Sequence, residues 1–448
     1  MKNPIRVLIC SLVIFGAGQL RAQNFVSAST NLSAGGPNSV TVADVNGDGR
    51  LDLISPSASG HALLVFTNKG NGSFATAVSY NVGSNPYWVT AADLNRDGKV
   101  DLVSANANDN TLTVLTNNGS GIFGSNATYS VGSSPRSVIV ADISGSGRLA
   151  LICANYNAGT LSVLTNNGSG IFGSNATYTV GVNPVSVIAE DINGSGRPAL
   201  ICANYGPDTL SIYTNNGSGV FGSNATIHVG VGVSSVTAAD IYGNGKPALV
   251  CADYYDRALL VLTNNGSGRF FSNATVNVGL TVTWAGAADL NGDGKVDLFV
   301  VLNYGETVCV FTNNGSGVFG TNAAYLVGSH PGNNYPVDVI AADLNNDGKM
   351  DLISANLFDN SLSVLTNATT FPAPASTPAL AIRRSGDGML VSWPSASAGW
   401  SLQQNPNLAN NTWLPSGYSG YGIADDGTNK SLTITPPPGI LFFRLLHP

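Results

Sequence analysis

The chain has 448 residues, 43% of them hydrophobic and only 10% charged, enough for one large domain or two smaller ones. Its 53 glycines suit short strands joined by tight turns better than long helices. A net charge of −7 argues against nucleic-acid binding, which needs a basic surface.

Residues 1–22 read as an export signal. Lys2 and Arg6 give a basic start, "VLICSLVIFGAG" is an apolar run too short to span a bilayer, and Ala22 offers a small residue for cleavage. No other long apolar stretch follows, so no transmembrane segment is expected and the protein is expected to be secreted or held at the cell surface. Without that signal, 16 basic residues face 26 acidic ones. Cys153, Cys202 and Cys251 recur 49 residues apart, and Cys309 follows. Equivalent positions of successive units lie too far apart for a disulfide, so these are expected to be small buried residues.

The period of the cysteines is the period of a motif. "DVNGDGRLDL" starts at Asp44 and returns at Asp93, Asp142, Asp191, Asp240, Asp289 and Asp343, with a spacing of 49 five times and then 54. The excess falls in "GSHPGNNYP". Repeats of this length mean propellers, solenoids or arrays. Each unit reads as four strands, A to D. In the second unit these are "WVTAAD", "VDLVSAN", "TLTVLT" and "IFGSNATYSV", separated by "NRDG", "NANDN" and "NNGSG". Ala usually precedes the first Asp, as suits a strand crowded near a central axis. The "NGS" and "NAT" sequons recur at one hairpin and are better explained as turn chemistry.

Seven copies of strands A to C are present, but the seventh unit has no strand D after "SLSVLTNATTFPAP". The missing strand is expected at the other end of the chain. "NFVSASTNLSAGGPNSVTVAD" aligns with "SFATAVSYNVGSNPYWVTAAD", so residues 25–33 should complete the last blade by pairing with residues 361–366. The expectation is an all-β, seven-bladed β-propeller over residues 23–370. Residues 371–378, "FPAPASTP", read as a linker, and residues 379–448 as a small β module carrying Trp393, Trp400 and Trp413. That module resembles carboxy-terminal modules of large secreted bacterial proteins.

The D-x-N-x-D-G-x-x-D-L pattern, the A-A-D lead-in and the later "NGSGxF" resemble the FG-GAP repeat family, also described as VCBS-type repeats, over residues 24–370. Integrin α-subunit heads belong to that family and form seven-bladed propellers. The resemblance implies calcium sites on the hairpin between strands A and B. The residues agree. Calcium takes six to eight oxygen ligands, and Gly49 permits the turn that gathers them. The first loop offers Asp44, Asn46, Asp48 and Asp52, with the main-chain carbonyl of Arg50. The second offers Asp93, Asn95, Asp97 and Asp101 with Lys99. The third offers Asp289, Asn291, Asp293 and Asp297 with Lys295, and the fourth Asp343, Asn345, Asp347 and Asp351 with Lys349. The loops at Asp142, Asp191 and Asp240 keep only their first acid. Position 5 is Ser146, Ser195 or Asn244 and position 9 is Ala150, Ala199 or Ala248, so these three read as metal-free turns.

Alternating strand directions put the A–B and C–D turns on one face and the B–C and D–A loops on the other. The second face carries Tyr156, Tyr205 and Tyr254 at matching B–C positions, Tyr304 nearby, and Tyr87 and Trp88 assigned to a D–A loop. It is the face integrin heads use for ligands, so these six are the candidate ligand-binding residues, for carbohydrate or protein. The alternative is that each tyrosine caps the core of its own blade. The four histidines outside the signal, His61, His228, His330 and His447, show no metal or triad spacing. The function expected is a monomeric, calcium-stabilised binding or adhesion module with no catalytic residues. The alternative is a polysaccharide-active enzyme of lyase type, which needs a Tyr or His base beside an Arg or Lys.

Overall fold

The computed structural model describes residues 24–369, except 28–30, 71 and 330–334, and the strands of a second unit between 381 and 446. The proposed export signal and linker, with His330, His447, Trp400 and Trp413, lie outside the described residues. Contacts divide the chain into two compact units, Met1–Thr369 and Thr370–Pro448.

The first unit is a ring of seven antiparallel sheets. Each is a simple meander in which strand A pairs B, B pairs C and C pairs D. In the second blade the strands are Pro86–Ala92, Asp101–Asn106, Thr111–Asn117 and Phe123–Ser130. Strand B is buried along its whole length, as in Ala150–Asn155 "ALICAN", because its sheet is covered on both faces by the neighbouring blades. That is why its sequence is a continuous run of small and apolar residues. Outer strand D alternates, with Val78–Asn81 mostly exposed. The core lies between blades: each of its seven apolar clusters draws on two adjacent sheets, and one joins Leu53 and Phe66 to Ile353 and Val364. The four cysteines are free and buried in it.

The ring closes as the sequence predicts. Phe25–Ser27 pairs with the end of Ser361–Asn367 (Phe25 with Asn367, Ser27 with Leu365), and Leu32–Ser33 with its start. Phe25 also takes the place of a repeating phenylalanine. In blades 2, 3 and 4, Phe123, Phe172 and Phe221 lie edge-on to Tyr80, Tyr129 and Tyr178 of the preceding blade, with centroids 5.1, 5.6 and 5.7 Å apart. Phe25 meets Tyr325 of the sixth blade in the same way at 5.2 Å. Aromatic pairs in this geometry contribute about 1 kcal/mol beyond area burial.

A polar bond also crosses every blade boundary. Strand C ends in an asparagine whose side-chain amide donates to the carbonyl at position 2 of the preceding blade's A–B loop. Asn68, Asn117, Asn166 and Asn215 reach Leu344, Val45, Leu94 and Ile143 at 2.7, 2.8, 2.7 and 2.7 Å. Asn264, Asn313 and Asn367 reach Ile192, Ile241 and Leu290 at 2.7, 2.7 and 2.9 Å. The asparagine oxygen then accepts an N–H two residues on, as from Gly119 and Gly315. The next asparagine caps its own turn (Asn118 accepts from Ser120), so the "NGS" strings serve the hairpin.

In the second unit, Ala381–Ser385, Gly388–Pro394, Asn429–Ile434 and Ala424–Asp425 form one sheet, and Leu414–Pro415, Ser401–Asn405 and Phe442–Leu446 another. Val391 pairs with Leu432, and both are buried. Trp393 is on the second strand. Among the described residues the only helical element is the three-residue turn Asn303–Gly305, and no helix is long and apolar enough to cross a membrane.

The asparagines differ in their load. Asn313 also donates to Val296 at 2.9 Å, whereas Asn264 has its cross-blade carbonyl alone. Replacing Asn313 by Ala is therefore expected to cost about 3 kcal/mol and Asn264→Ala about 2, since buried carbonyls are left unpaired. Urea midpoints of the two variants check the order.

Candidate functional sites on the two faces

The two faces are assembled as the strand directions require. On the first, all seven A–B hairpins adopt one turn. The first Asp accepts backbone N–H groups from positions 5 and 6: Asp44 from Asp48 at 3.1 Å and Gly49 at 2.8 Å, Asp93 from Asp97 at 3.2 Å and Gly98 at 2.9 Å. The reduced loops do the same, with Gly147, Gly196 and Gly245 donating to Asp142, Asp191 and Asp240. Burial would raise the carboxyls of Asp142 and Asp191, but these donors outweigh it and hold both below their usual range. The oxygen at position 5 accepts from N–H of position 7, whether it belongs to Asp48, Ser146 or Asn244 (2.9, 3.3 and 3.0 Å). Ser and Asn thus close the turn as well as Asp does.

Position 9 separates the loops. Asp52, Asp101, Asp297 and Asp351 open strand B and are fully buried. Each bridges two backbone N–H groups: Asp52 accepts from Val45 at 3.2 Å and Asn68 at 2.8 Å, Asp297 from Leu290 at 3.1 Å and Asn313 at 2.9 Å. Burial raises these carboxyls, Asp297 to about 6, and the carboxylates at positions 5 and 1 of the same loop push in the same direction. The basic residue at position 7 turns to the acid at position 5, as Arg50 to Asp48 (3.7 Å) and Lys99 to Asp97 (3.6 Å). Asn46 and Asp44 converge on one N–H, that of Asp48. Asn95, Asn291 and Asn345 repeat this with Asp97, Asp293 and Asp347. The hard-oxygen donor set fits a calcium ion. Its oxygens are engaged by backbone donors, and among the described residues no three acids, histidines or thiols are gathered in a metal-holding geometry.

On the second face, strand A opens with a β-bulge in six blades, placing Tyr87 and Arg136 at the axial mouth. Tyr87 and Trp88 thus belong to strand Pro86–Ala92, whereas the D–A loop was expected to carry them, because Pro86 already pairs with Asn106. Trp88 lies 4.9 Å from Trp284 of the sixth blade, ring to ring. These blades are not neighbours, so the pair meets across the axis. The other blades carry Ser39, Ser137, Ser186, Ser235 and Asp338 at this level, each accepting an N–H from the following blade (3.2, 3.4, 3.5, 3.2 and 3.0 Å).

Above this layer the tyrosines converge. Tyr205 lies 6.2 Å from Tyr254, and its hydroxyl is 3.0 Å from that of Tyr255. Tyr254 lies 5.0 Å from Tyr255 and Tyr304 5.9 Å from Tyr335, ring to ring, and Tyr335 is close enough to affect Tyr87, Tyr205 and Tyr254 electrostatically. Burial raises the hydroxyls of Tyr87, Tyr205 and Tyr254. Arg136 lies 3.5 Å over the Tyr156 ring and 5.1 Å over that of Tyr87. Sequence reasoning missed Tyr335, Tyr255 and Phe358; 53–70% of Tyr255, Tyr304 and Phe358 is exposed. Two signals were available: Tyr335 ends the one insertion, and Tyr255, Tyr304 and Phe358 recur one residue after the tyrosine position. His61 accepts from Asn85, and the described histidines gather no site.

Fold and faces together define a seven-bladed propeller with an acidic-loop face and a tyrosine-lined axial mouth. FG-GAP-like repeats match at residues 56–104, 93–153, 191–251, 240–300 and 289–354, more than half of the chain, which therefore belongs to that family. No curated protein matches it. Among solved structures, a chain of the BBS1N–ARL6DN complex is similar with a TM-score of 0.57 and 12% identity, over 78% of this chain and 98% of that one. A protein from Lactobacillus plantarum gives 0.48 and 16%, over 74% and 96%. An Agrocybe aegerita lectin that recognises non-reducing terminal N-acetylglucosamine gives 0.47 and 22%, over 64% and 79%. At 12% identity the first of these likenesses shows the fold alone.

Asp338 stands apart in the axial layer. It is buried, only Oδ2 is bonded, and burial raises its carboxyl to about 7. A folded-state value above the unfolded one means that its contribution is present below pH 4 and is lost as pH rises to about 7. Asp338→Ser, which restores the residue of four other blades, is expected to stabilise by up to about 4 kcal/mol at pH 8 and far less at pH 4. Melting curves across that range check it.

Proposed function

We propose that this chain is an exported, calcium-stabilised binding module that takes a carbohydrate or protein ligand on its tyrosine face and performs no catalysis. Support for calcium comes from the reduced loops. They close the same turn with Ser, Asn and Ala where the other four carry acids, so the turn itself does not require those acids. Four loops nonetheless retain carboxylates at positions 1, 5 and 9, at a cost in burial and mutual repulsion that a cation would offset. Asp44, Asn46, Asp48, Asp52 and the carbonyl of Arg50 would hold the ion, and their equivalents would do so in blades 2, 6 and 7. The bound ion supplies positive charge and an added tie between strands A and B.

Support for binding comes from the mouth, where side chains of most blades converge around exposed aromatic surface. A lyase would need a tyrosine or histidine of this face as a base, and His61 already accepts the N–H of Asn85 through Nδ1. Tyr87 is beside Arg136, but burial raises its hydroxyl, which disfavours the ionised form. Incubation with acidic polysaccharides is expected to release no unsaturated product, and such release would overturn the binding-only reading.

Chelation is expected to lower the melting temperature by several degrees, since an ion at about 100 times its Kd adds about 2.7 kcal/mol per site. Asp48→Ser with Asp52→Ala, which converts the first loop to the reduced pattern, is expected to remove one bound calcium by metal analysis. Unchanged melting together with no calcium would refute the four-site reading.

A further inference from the structure

Arg136 is a half-buried guanidinium among tyrosines. Its flat face is covered by Tyr156 at 3.5 Å, with Tyr87 at 5.1 Å. Its edge is not satisfied. Nε is buried without a hydrogen-bond partner, and no carboxylate of the described residues reaches the group. Several acids of this face are tied elsewhere: Asp109 accepts from Ser84, Asp208 from Gly232, Asp253 from Val231, and Asp359 from Ser329 and Ser361. A half-buried cation without a counter-charge and an unpaired buried donor both cost free energy. The fold therefore holds a guanidinium whose Nε is closed off and whose Nη end alone can meet a ligand, beside the rings of Tyr156 and Tyr87.

We infer that the mouth takes an acidic saccharide, a hexuronate unit of a polysaccharide, with its carboxylate on the free edge of Arg136 and its ring against the tyrosines. This rests on the proposal that the tyrosine face is the ligand face, and adds the ligand's charge and class. The sign follows from Arg136. The tyrosines without it would suit a cation, but they already surround one. A neutral sugar would leave the guanidinium without a counter-charge, whereas a carboxylate can accept from its two Nη donors and supply one. The class follows from the shape. A peptide captured as an added strand needs a free sheet edge, and this mouth is built of turns and bulges. Tyrosine rings and hydroxyls present the mixed apolar and polar surface that a sugar ring needs.

Calorimetry on the full chain tests this with oligogalacturonate, its methyl ester and polyglutamate. Oligogalacturonate is expected to bind, and its ester at least about tenfold more weakly. Arg136→Met keeps the stem on Tyr156 and removes the donors; it is expected to lose at least about tenfold towards the acid while leaving the ester unchanged. Arg136→Lys should fall between, and guards against misfolding of the Met variant. Tyr304→Ala, at an exposed position, should weaken both saccharides. Equal binding of acid and ester, with Arg136→Met silent but Tyr304→Ala damaging, overturns the carboxylate inference and leaves the face as the ligand site. Binding unaffected by either residue overturns both readings. Preference for polyglutamate, or no binding of oligogalacturonate, overturns the saccharide assignment.

Discussion

Every blade boundary is held by one recurring hydrogen bond, from the asparagine ending strand C to a loop carbonyl of the blade before it. The geometry explains its importance. A propeller blade is flat, buried on both faces, and slides easily on an apolar neighbour because hydrophobic contact is non-directional. The asparagine amide supplies direction. It fixes the height and rotation of each blade against the next, and its seventh copy, from Asn68 to Leu344, joins the first blade to the last. The A–B loop must hold its position-2 carbonyl in place for this to work, so the Asp turn and the asparagine act as one unit.

That dependence explains the form of the reduced loops. Asp142, Asp191 and Asp240 persist because they organise the turn that presents the carbonyl. The acids at positions 5 and 9 are dispensable for that purpose, and Ala150, Ala199 and Ala248 fill the buried position-9 site as apolar residues. In the acid-bearing loops, the position-9 carboxylate also binds the N–H of the boundary asparagine, linking the loop to the end of strand C. The proposed cation sites therefore lie on the boundary bonds of four consecutive blades, the seventh joining the first.

Much of the fold was legible because it is periodic. Seven copies set the blade count, and the missing outer strand with its phenylalanine identified the closing segment, since Phe25 answers to Phe123 and Phe172. The axial layer was less legible. Trp88 and Trp284 sit at equivalent positions of distant blades, and no local pattern says that they meet. The loop assignment of Tyr87 and Trp88 failed because a bulge lets strand A begin at Pro86. Asp338 reads as an ordinary acid beside an insertion, while the ring makes it the charged member of a layer otherwise serine or tryptophan.

The sequence by itself determined the repeat, the sheet order, the site of closure and which loops carry a calcium-type oxygen set, because each depends on spacing within one unit or on counting units. Tertiary structure alone decided what happens on the axis. Only closure of the ring brings Tyr335 within reach of Tyr87 and Tyr205, and aligns the blade 2 and blade 6 tryptophans. Likewise, the bare edge of Arg136 arises because a tyrosine ring of its own blade and one of the preceding blade cover its face and no acid pairs with it. The cause is geometric. Residues from non-adjacent blades become neighbours only when curvature around a common axis is complete, and that curvature is a sum over all seven blade boundaries.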